Sequence, residues 1–193
     1  MTGIRDIIFV TGNLNKLKEV QMILAKNESD DDINLINKEL DLEEIQELDL
    51  KEIALAKCKQ AVSMLGPGHA VFVEDTALTF DELNGLPGAF IKWFVKSLGL
   101  NKIVKLLDPF ENKGATAITT IAYADENGEY HVFQGFTKGR IVESRGPTNF
   151  GWDSIFEPFE SNGKTYAEME KLEKNSISHR GRAFDEFKQF LFK

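Results

Sequence analysis

The segment Thr11-Gly12-Asn13-Leu14-Asn15-Lys16 follows the apolar run Ile7-Ile8-Phe9-Val10 and precedes Leu17, Val20, Ile23 and Leu24, which recur at a helical period. A strand that turns through Thr-Gly-Asn into a helix presents backbone N–H groups at the positive end of the helix dipole, and glycine lets an anion come close. Lys16, one turn into the helix, adds a full positive charge. These are the parts of a phosphate-binding loop, although the Walker spacing of Gly and Lys-Ser/Thr is absent. The same residues also suit an ordinary strand-to-helix turn. A second apolar run, Ala70-Val71-Phe72-Val73, leads into Glu74-Asp75-Thr76. With both strands ending at their polar residues, both sets face the same edge of a sheet. Paired carboxylates there suit Mg2+, which takes few protein carboxylates and keeps water and phosphate oxygens as its other ligands. The alternative is a solvated loop with a capping aspartate.

Two further segments have the right chemistry for a purine. Phe150-Gly151-Trp152-Asp153 lies between Gly146-Pro147 and Pro158, so it reads as a loop whose aromatic rings either stack on a base or plug a core. Ser178-His179-Arg180-Gly181-Arg182 places several donors ahead of the last amphipathic helix, or forms an exposed basic cap there. The acidic run Asp41-Leu42-Glu43-Glu44-Ile45 reads by itself as a wet surface, and His69 and His131 have no partner pattern. The chain has 31 acidic and 23 basic residues and a net charge of -8, which disfavours a nucleic-acid scaffold while allowing a small anion in a local basic pocket. Its one cysteine, Cys58, cannot form an internal disulfide, and no Cys/His set has zinc spacing. No targeting or membrane-spanning segment is evident, which suits a cytosolic protein small enough to reach the nucleus.

The elements that must hold these residues are legible as a series. Ile33-Asn34-Leu35-Ile36 reads as a strand, the acidic segment from Asn27 to Asp32 as a loop, and Leu55, Cys58, Val62 and Leu65 as the stripe of a helix ended by Gly66-Pro67-Gly68. Cys58 then faces the core. Gly85-Leu86-Pro87-Gly88 reads as a turn, followed by helices over 90–98 and 102–107. Thr116 to Ala124 and Tyr130 to Phe136 flank an Asn127-Gly128 hairpin signal. Thr165 and Glu168 form a capping-box pattern for a short helix, and a closing helix carries Ala183, Phe184, Phe187, Phe190 and Leu191 on its inner face. This order predicts one mixed α/β domain over residues 1–193, with a long curved central sheet flanked by helices.

Thr11-Gly12-Asn13 with Lys16, Val73-Glu74-Asp75-Thr76, Gly85-Leu86-Pro87-Gly88 running into Ile91-Lys92-Trp93-Phe94, Phe150-Gly151-Trp152-Asp153, Thr165-Tyr166-Ala167-Glu168-Met169 and Ser178-His179-Arg180 occur in that order. Together they resemble the inosine triphosphate pyrophosphatase family over nearly the whole chain. The resemblance implies hydrolysis of ITP, dITP and XTP to the monophosphate and pyrophosphate by a homodimeric cytosolic enzyme using Mg2+, with Mn2+ as a substitute. It implies that Thr11, Gly12, Asn13, Leu14, Asn15 and Lys16 hold the triphosphate, that Lys57, Lys92 and Lys174 add charge to it, and that Glu44 and Asp75 serve the metal. Glu43, one residue away in the same acidic run, is the alternative to Glu44. Thr76 would touch the nucleotide, and Phe150, Gly151, Trp152, Asp153, His179 and Arg180 the purine. Asp75, or else Glu74, would orient or deprotonate the attacking water. A binding module without hydrolysis, or a phosphohydrolase releasing phosphate stepwise, remains open beside this reading.

Overall fold

The computed structural model describes residues 4–25 and 33–193; the segment from Asn27 to Asp32, expected to be a loop, lies outside the described residues. Strand β1 (Arg5–Val10) pairs in parallel with β2 (Ile33–Lys38) on one side and with β3 (Val71–Phe80) on the other. Successive side chains of a strand point to opposite faces. Accordingly Ile7 and Phe9 join one core, with Val20 and Ile23 of α1 (Leu14–Leu24) and Ala183, Phe184 and Phe187 of α6 (His179–Leu191). Ile8 and Val10 join another, with Ala54, Cys58 and Ala61 of α2 (Leu50–Leu65). Helices on both faces leave no polar side, which is why residues 7–10 of β1 are an unbroken apolar run in sequence. Phe9 stacks on Phe72 of the neighbouring strand at 4.5 Å between ring centroids.

The remaining strands are β4 (Pro87–Gly88), β5 (Gly114–Ala124), β6 (Tyr130–Ile141) and β7 (Phe156–Pro158). Hydrogen bonding orders the sheet β2-β1-β3-β5-β6-β7, with β4 on β3. Antiparallel pairs β3–β4 and β6–β7 beside the parallel β1 pairs make the sheet mixed, in agreement with the expected α/β class. The chain divides into two compact units: residues 1–75, 120–134 and 183–193 form the first, and residues 76–119 and 135–182 the second. In the second, Leu78, Phe80, Ala115, Ala117 and Ile141 pack with Ile91 of α3 (Ile91–Leu98), Ile103 of α4 (Leu100–Lys105), and Trp152, Phe156 and Tyr166.

Several local expectations hold because their signals act over a few residues. Asn13 caps α1, α2 ends at Gly66 with φ 87°, and the Thr165–Glu168 capping box opens a single 3-10 turn. Cys58 is fully buried, and burial pushes its thiol up to about 12. Three expectations are corrected. Glu74, Asp75 and Thr76 do not follow a strand end; β3 continues through them to Phe80, because Ala77, Leu78 and Phe80 resume the burial on the far side of the polar trio. Within the segment expected to be a turn, Pro87 and Gly88 pair with Thr79 and Leu78 as β4, and the bend falls at Asp81–Leu83 with Asn84 at φ 51°. Phe190 does not share the buried face of α6: it is 37% exposed and lies against His131 and Phe133. A helix that the sequence did not suggest, α5 (Lys171–Ile177), precedes α6.

Candidate active site

In the first unit, the turn from β1 into α1 is organised by its own side chains. Asn13 Oδ1 accepts the N–H groups of Asn15 and Lys16 at 3.0 and 3.1 Å, and Thr11 Oγ1 accepts the N–H of Asn13 at 3.1 Å. The loop was expected to offer these N–H groups to an anion; in this structure the cap takes them, as an Asn at this position is built to do. An anion on those two groups has to displace the Asn13 amide. A Cβ at Gly12 would lie 2.7 Å from Glu39 Oε1, the end of an exposed side chain that can move aside. Leu14 is exposed. Lys16 reaches from α1 to β3, where its Nζ lies 3.7 Å from Glu74 Oε1 and 3.4 Å from the Glu74 carbonyl oxygen. Glu74 is buried.

Asp75 is the next residue of β3, and its carboxylate is divided between two environments. Oδ1 accepts a hydrogen bond from Lys57 Nζ of α2 at 2.6 Å, whereas Oδ2 is buried and, among the described residues, has no hydrogen-bond partner. Lys57 Nζ also lies 3.5 Å from Glu44 Oε1, so Glu44 and Asp75 converge on one ammonium. Burial works against the charge on Lys57, but Asp75, then Glu44 and Glu74, outweigh it and hold the ammonium above the ordinary lysine range. Glu43 instead belongs to a backbone contact, its N–H and carbonyl both bonded to the Gln60 amide. Of the two, Glu44 is the one whose carboxylate shares Lys57 with Asp75. A buried orphan oxygen on one carboxylate, with a second carboxylate sharing its cationic partner, is a donor set that a hard divalent cation would satisfy.

In the second unit, five of the expected purine and charge residues come together. Lys174 of α5 lies 2.6 Å from Asp153 Oδ2, with the side chains 6% and 9% exposed, and its Nζ sits 4.2 Å from the Phe150 ring centroid. Lys174 was expected to charge the triphosphate; the structure ties it to the segment expected to hold the purine. Trp152 is buried, edge-on to Phe156 and 5.5 Å from the His179 ring, so it plugs the core. Phe150, by contrast, is half-buried. Gly151 takes φ 50°, a left-handed conformation that lets the chain turn between the two rings. His179 and Arg180 are both 2% exposed, which rules out an exposed basic cap. Arg180 Nη2 donates to Thr76 Oγ1 at 3.0 Å. Lys92 stands apart: it is exposed, 5.4 Å from the ring of the exposed Trp93.

Two sets of contacts escaped the sequence reading. Glu157 accepts from Arg140 Nη2 at 2.7 Å and from Arg145 Nη2, and the Arg145 carbonyl accepts from Thr165 Oγ1 at 2.8 Å, so β7 is tied to the chain on either side of residues 150–153. The Tyr166 hydroxyl lies 3.1 Å from His179 Nδ1. Tyr166 stood within a recognisable block, but nothing local to it names its partner.

Comparison with known proteins identifies the family. The Ham1 family matches residues 7–190. A Candida glabrata protein named inosine triphosphate pyrophosphatase is 72% identical, covering 97% of each chain. A Saccharomyces cerevisiae protein of the same name is 67% identical over 97% of this chain and 96% of its own. Among solved structures, a Ham1 protein from Coxiella burnetii superposes with a TM-score of 0.82 at 28% identity, covering 98% of this chain and 99% of that one. A Mycobacterium abscessus nucleoside-triphosphatase described as a dITP/XTP pyrophosphatase gives 0.70 at 28% identity, covering 94% and 98%. By sequence over nearly its whole length and by fold, the chain belongs to the Ham1 family.

Proposed function

We propose that this chain hydrolyses ITP, dITP and XTP to the nucleoside monophosphate and pyrophosphate, clearing deaminated purines from nucleotide pools before they enter DNA and RNA. The observation that carries the chemistry is the Asp75 carboxylate, with one oxygen on Lys57 and the other buried and without a hydrogen-bond partner among the described residues. Glu44 and Asp75 are the residues that would hold Mg2+, or Mn2+ in its place. The bound ion would supply Lewis-acid stabilisation of charge on the phosphate oxygens.

The chain's own residues perform the remaining tasks. The attacking water forms a bond to the α-phosphorus while the bond to the bridging oxygen breaks, so negative charge grows on the departing pyrophosphate. Lys16 and the 11–15 loop neutralise and position the phosphates, with Lys57 contributing once a cation or substrate draws it from Asp75. Asp75 orients or deprotonates the water, and Glu74 is the second candidate for that step. Arg180 and His179 meet the purine: hypoxanthine and xanthine carry an acceptor oxygen at C6 where adenine carries a donor amine, so buried donors aimed there are left unpaired by ATP. Phe150, with Lys174 on its face, stacks on the base. The reading extends to a homodimer in the cytosol, with access to the nucleus and no nucleic-acid partner, the last supported by the net charge of -8. Among the described residues no helix is long and apolar enough to cross a membrane.

A nucleotide panel with Mg2+, scored for pyrophosphate against inorganic phosphate, tests the reaction. Pyrophosphate from ITP and XTP with little turnover of ATP is the expected result; stepwise release of inorganic phosphate would replace it with a different hydrolase. Asp75→Asn should abolish turnover while ITP binding stays measurable, and a rate near that of the unaltered protein removes Asp75 from the chemistry.

A further inference from the structure

We infer that Tyr166 is a positioning residue that fixes the tautomer of His179, and through it the sign of the hydrogen bond that the imidazole offers a purine. This rests on the reading of His179 as a purine contact. The two rings are stacked, with centroids 5.6 Å apart and planes 21° from parallel, and Trp152 lies against the imidazole at 5.5 Å and 34°. Tyr166 and His179 are 1% and 2% exposed. The imidazole is thus held by two aromatic neighbours, and a ring flip has to disturb both.

The hydroxyl of Tyr166 has one proton and more than one neighbour. Oη lies 3.1 Å from His179 Nδ1, and it also meets the backbone N–H of His179 and the Thr137 side chain. The backbone N–H can only donate, so it occupies a lone pair on Oη. Thr137 Oγ1 gives its own proton to the Ile177 carbonyl at 2.7 Å and accepts from the Arg182 guanidinium at 3.3 Å, which makes it a poorer acceptor for a further proton. An imidazole nitrogen is the stronger base of the two. The Tyr166 proton therefore goes to Nδ1, and the ring proton of neutral His179 resides on Nε2.

The consequence is chemical. An Nε2–H donor matches an acceptor such as the C6 oxygen of hypoxanthine and xanthine. The other tautomer would present a bare Nε2, which matches the 6-amine of adenine instead. A tyrosine that never touches the base would then help to decide which base is accepted, by the same logic through which a carboxylate or carbonyl behind a metal-bound histidine sets which nitrogen is free to act.

The experiment reads the tautomer directly. The protein has three histidines, so His69→Gln and His131→Gln leave His179 as the one signal in a two-bond 1H–15N spectrum. The expected spectrum has a bare Nδ1 and a protonated Nε2; a protonated Nδ1 overturns the inference. Tyr166→Phe keeps the ring and removes the donor, so the signal should move to a tautomer mixture. The kcat/KM ratio of ITP over ATP should then fall about fivefold to tenfold, the effect of losing one oriented hydrogen bond, mostly through the KM for ITP. An unchanged tautomer in the Phe variant also overturns the inference. Should that variant fail to fold, the spectrum of the Tyr166 protein still decides. Absence of ITP hydrolysis by the unaltered protein would overturn the proposed function instead, without altering what the spectrum says of Tyr166.

Discussion

Lys174→Met is the perturbation whose size the structure sets most directly. Lys174 Nζ and Asp153 Oδ2 are 2.6 Å apart with less than a tenth of either side chain exposed. Methionine keeps the unbranched apolar stem and removes the charge, leaving the Asp153 carboxylate buried without its cation. Breaking a buried pair from one side costs about 3–5 kcal/mol, because the survivor keeps its desolvation penalty. Loss of the ammonium from the face of Phe150 at 4.2 Å adds about 0.5–2 kcal/mol. The sum, about 3.5–7 kcal/mol, is large beside the ~5–15 kcal/mol that holds a protein of this kind folded. Urea unfolding gives the free energy, and a thermal melt should fall by about 10 °C or more. The double variant Lys174→Met/Asp153→Leu should recover at least half of the loss, since an apolar pair in place of a buried ion pair is close to neutral. A single variant that loses under about 1 kcal/mol, or a double variant no more stable than the single, refutes the idea that the pair is a buried ionic contact.

Other outcomes follow from the same contacts. Lys16→Ala should weaken binding of triphosphates more than diphosphates in calorimetric titrations; an equal loss for both places Lys16 away from the γ-phosphate. Arg180→Ala should narrow the preference for ITP over ATP in competition assays, and it also deprives Thr76 Oγ1 of its donor; an unchanged ratio moves base selection elsewhere. For Glu157, burial opposes ionisation, but Arg145 and Arg140 outweigh it and hold the carboxyl below the usual carboxylate range. A carboxylate depressed on folding adds stability above its unfolded pKa, and that stability is lost as pH falls through the folded value. Glu157→Gln should therefore cost stability at neutral pH and flatten the acid limb of the stability curve below about pH 4.5; parallel acid limbs in the two proteins would show that Glu157 contributes nothing there.

How far the site was legible follows from the range of each interaction. The cap of α1 joins Asn13 to residues two and three positions away. The capping box joins Thr165 to Glu168, and the hairpin turn closes through Asp125 and Glu129. Such contacts are written in residue type and spacing. Lys57 meets Asp75 across 18 residues, Lys174 meets Asp153 across 21, and Arg180 meets Thr76 across 104. No local pattern encodes those pairings, so Lys174 was expected on the phosphates and proved to belong with Phe150 and Asp153. The reading of Glu74-Asp75-Thr76 as a strand end failed for a related reason. Polar residues inside a buried strand look like a boundary until the chain beyond them is seen to keep pairing.

By itself, then, the sequence determined the α/β class, most of the elements in their order, the capped strand-to-helix turn at Thr11–Lys16 and the ordered blocks that mark the family, because each depends on propensity, periodicity or capping within a few residues. Only the tertiary structure decided that Asp75 shares Lys57 with Glu44 and has one oxygen unpaired among the described residues, that Trp152 is core while Phe150 is half-buried, and that Tyr166 stands behind His179. Each of these depends on which distant side chains packing brings within about 3 Å, the range over which hydrogen bonds act.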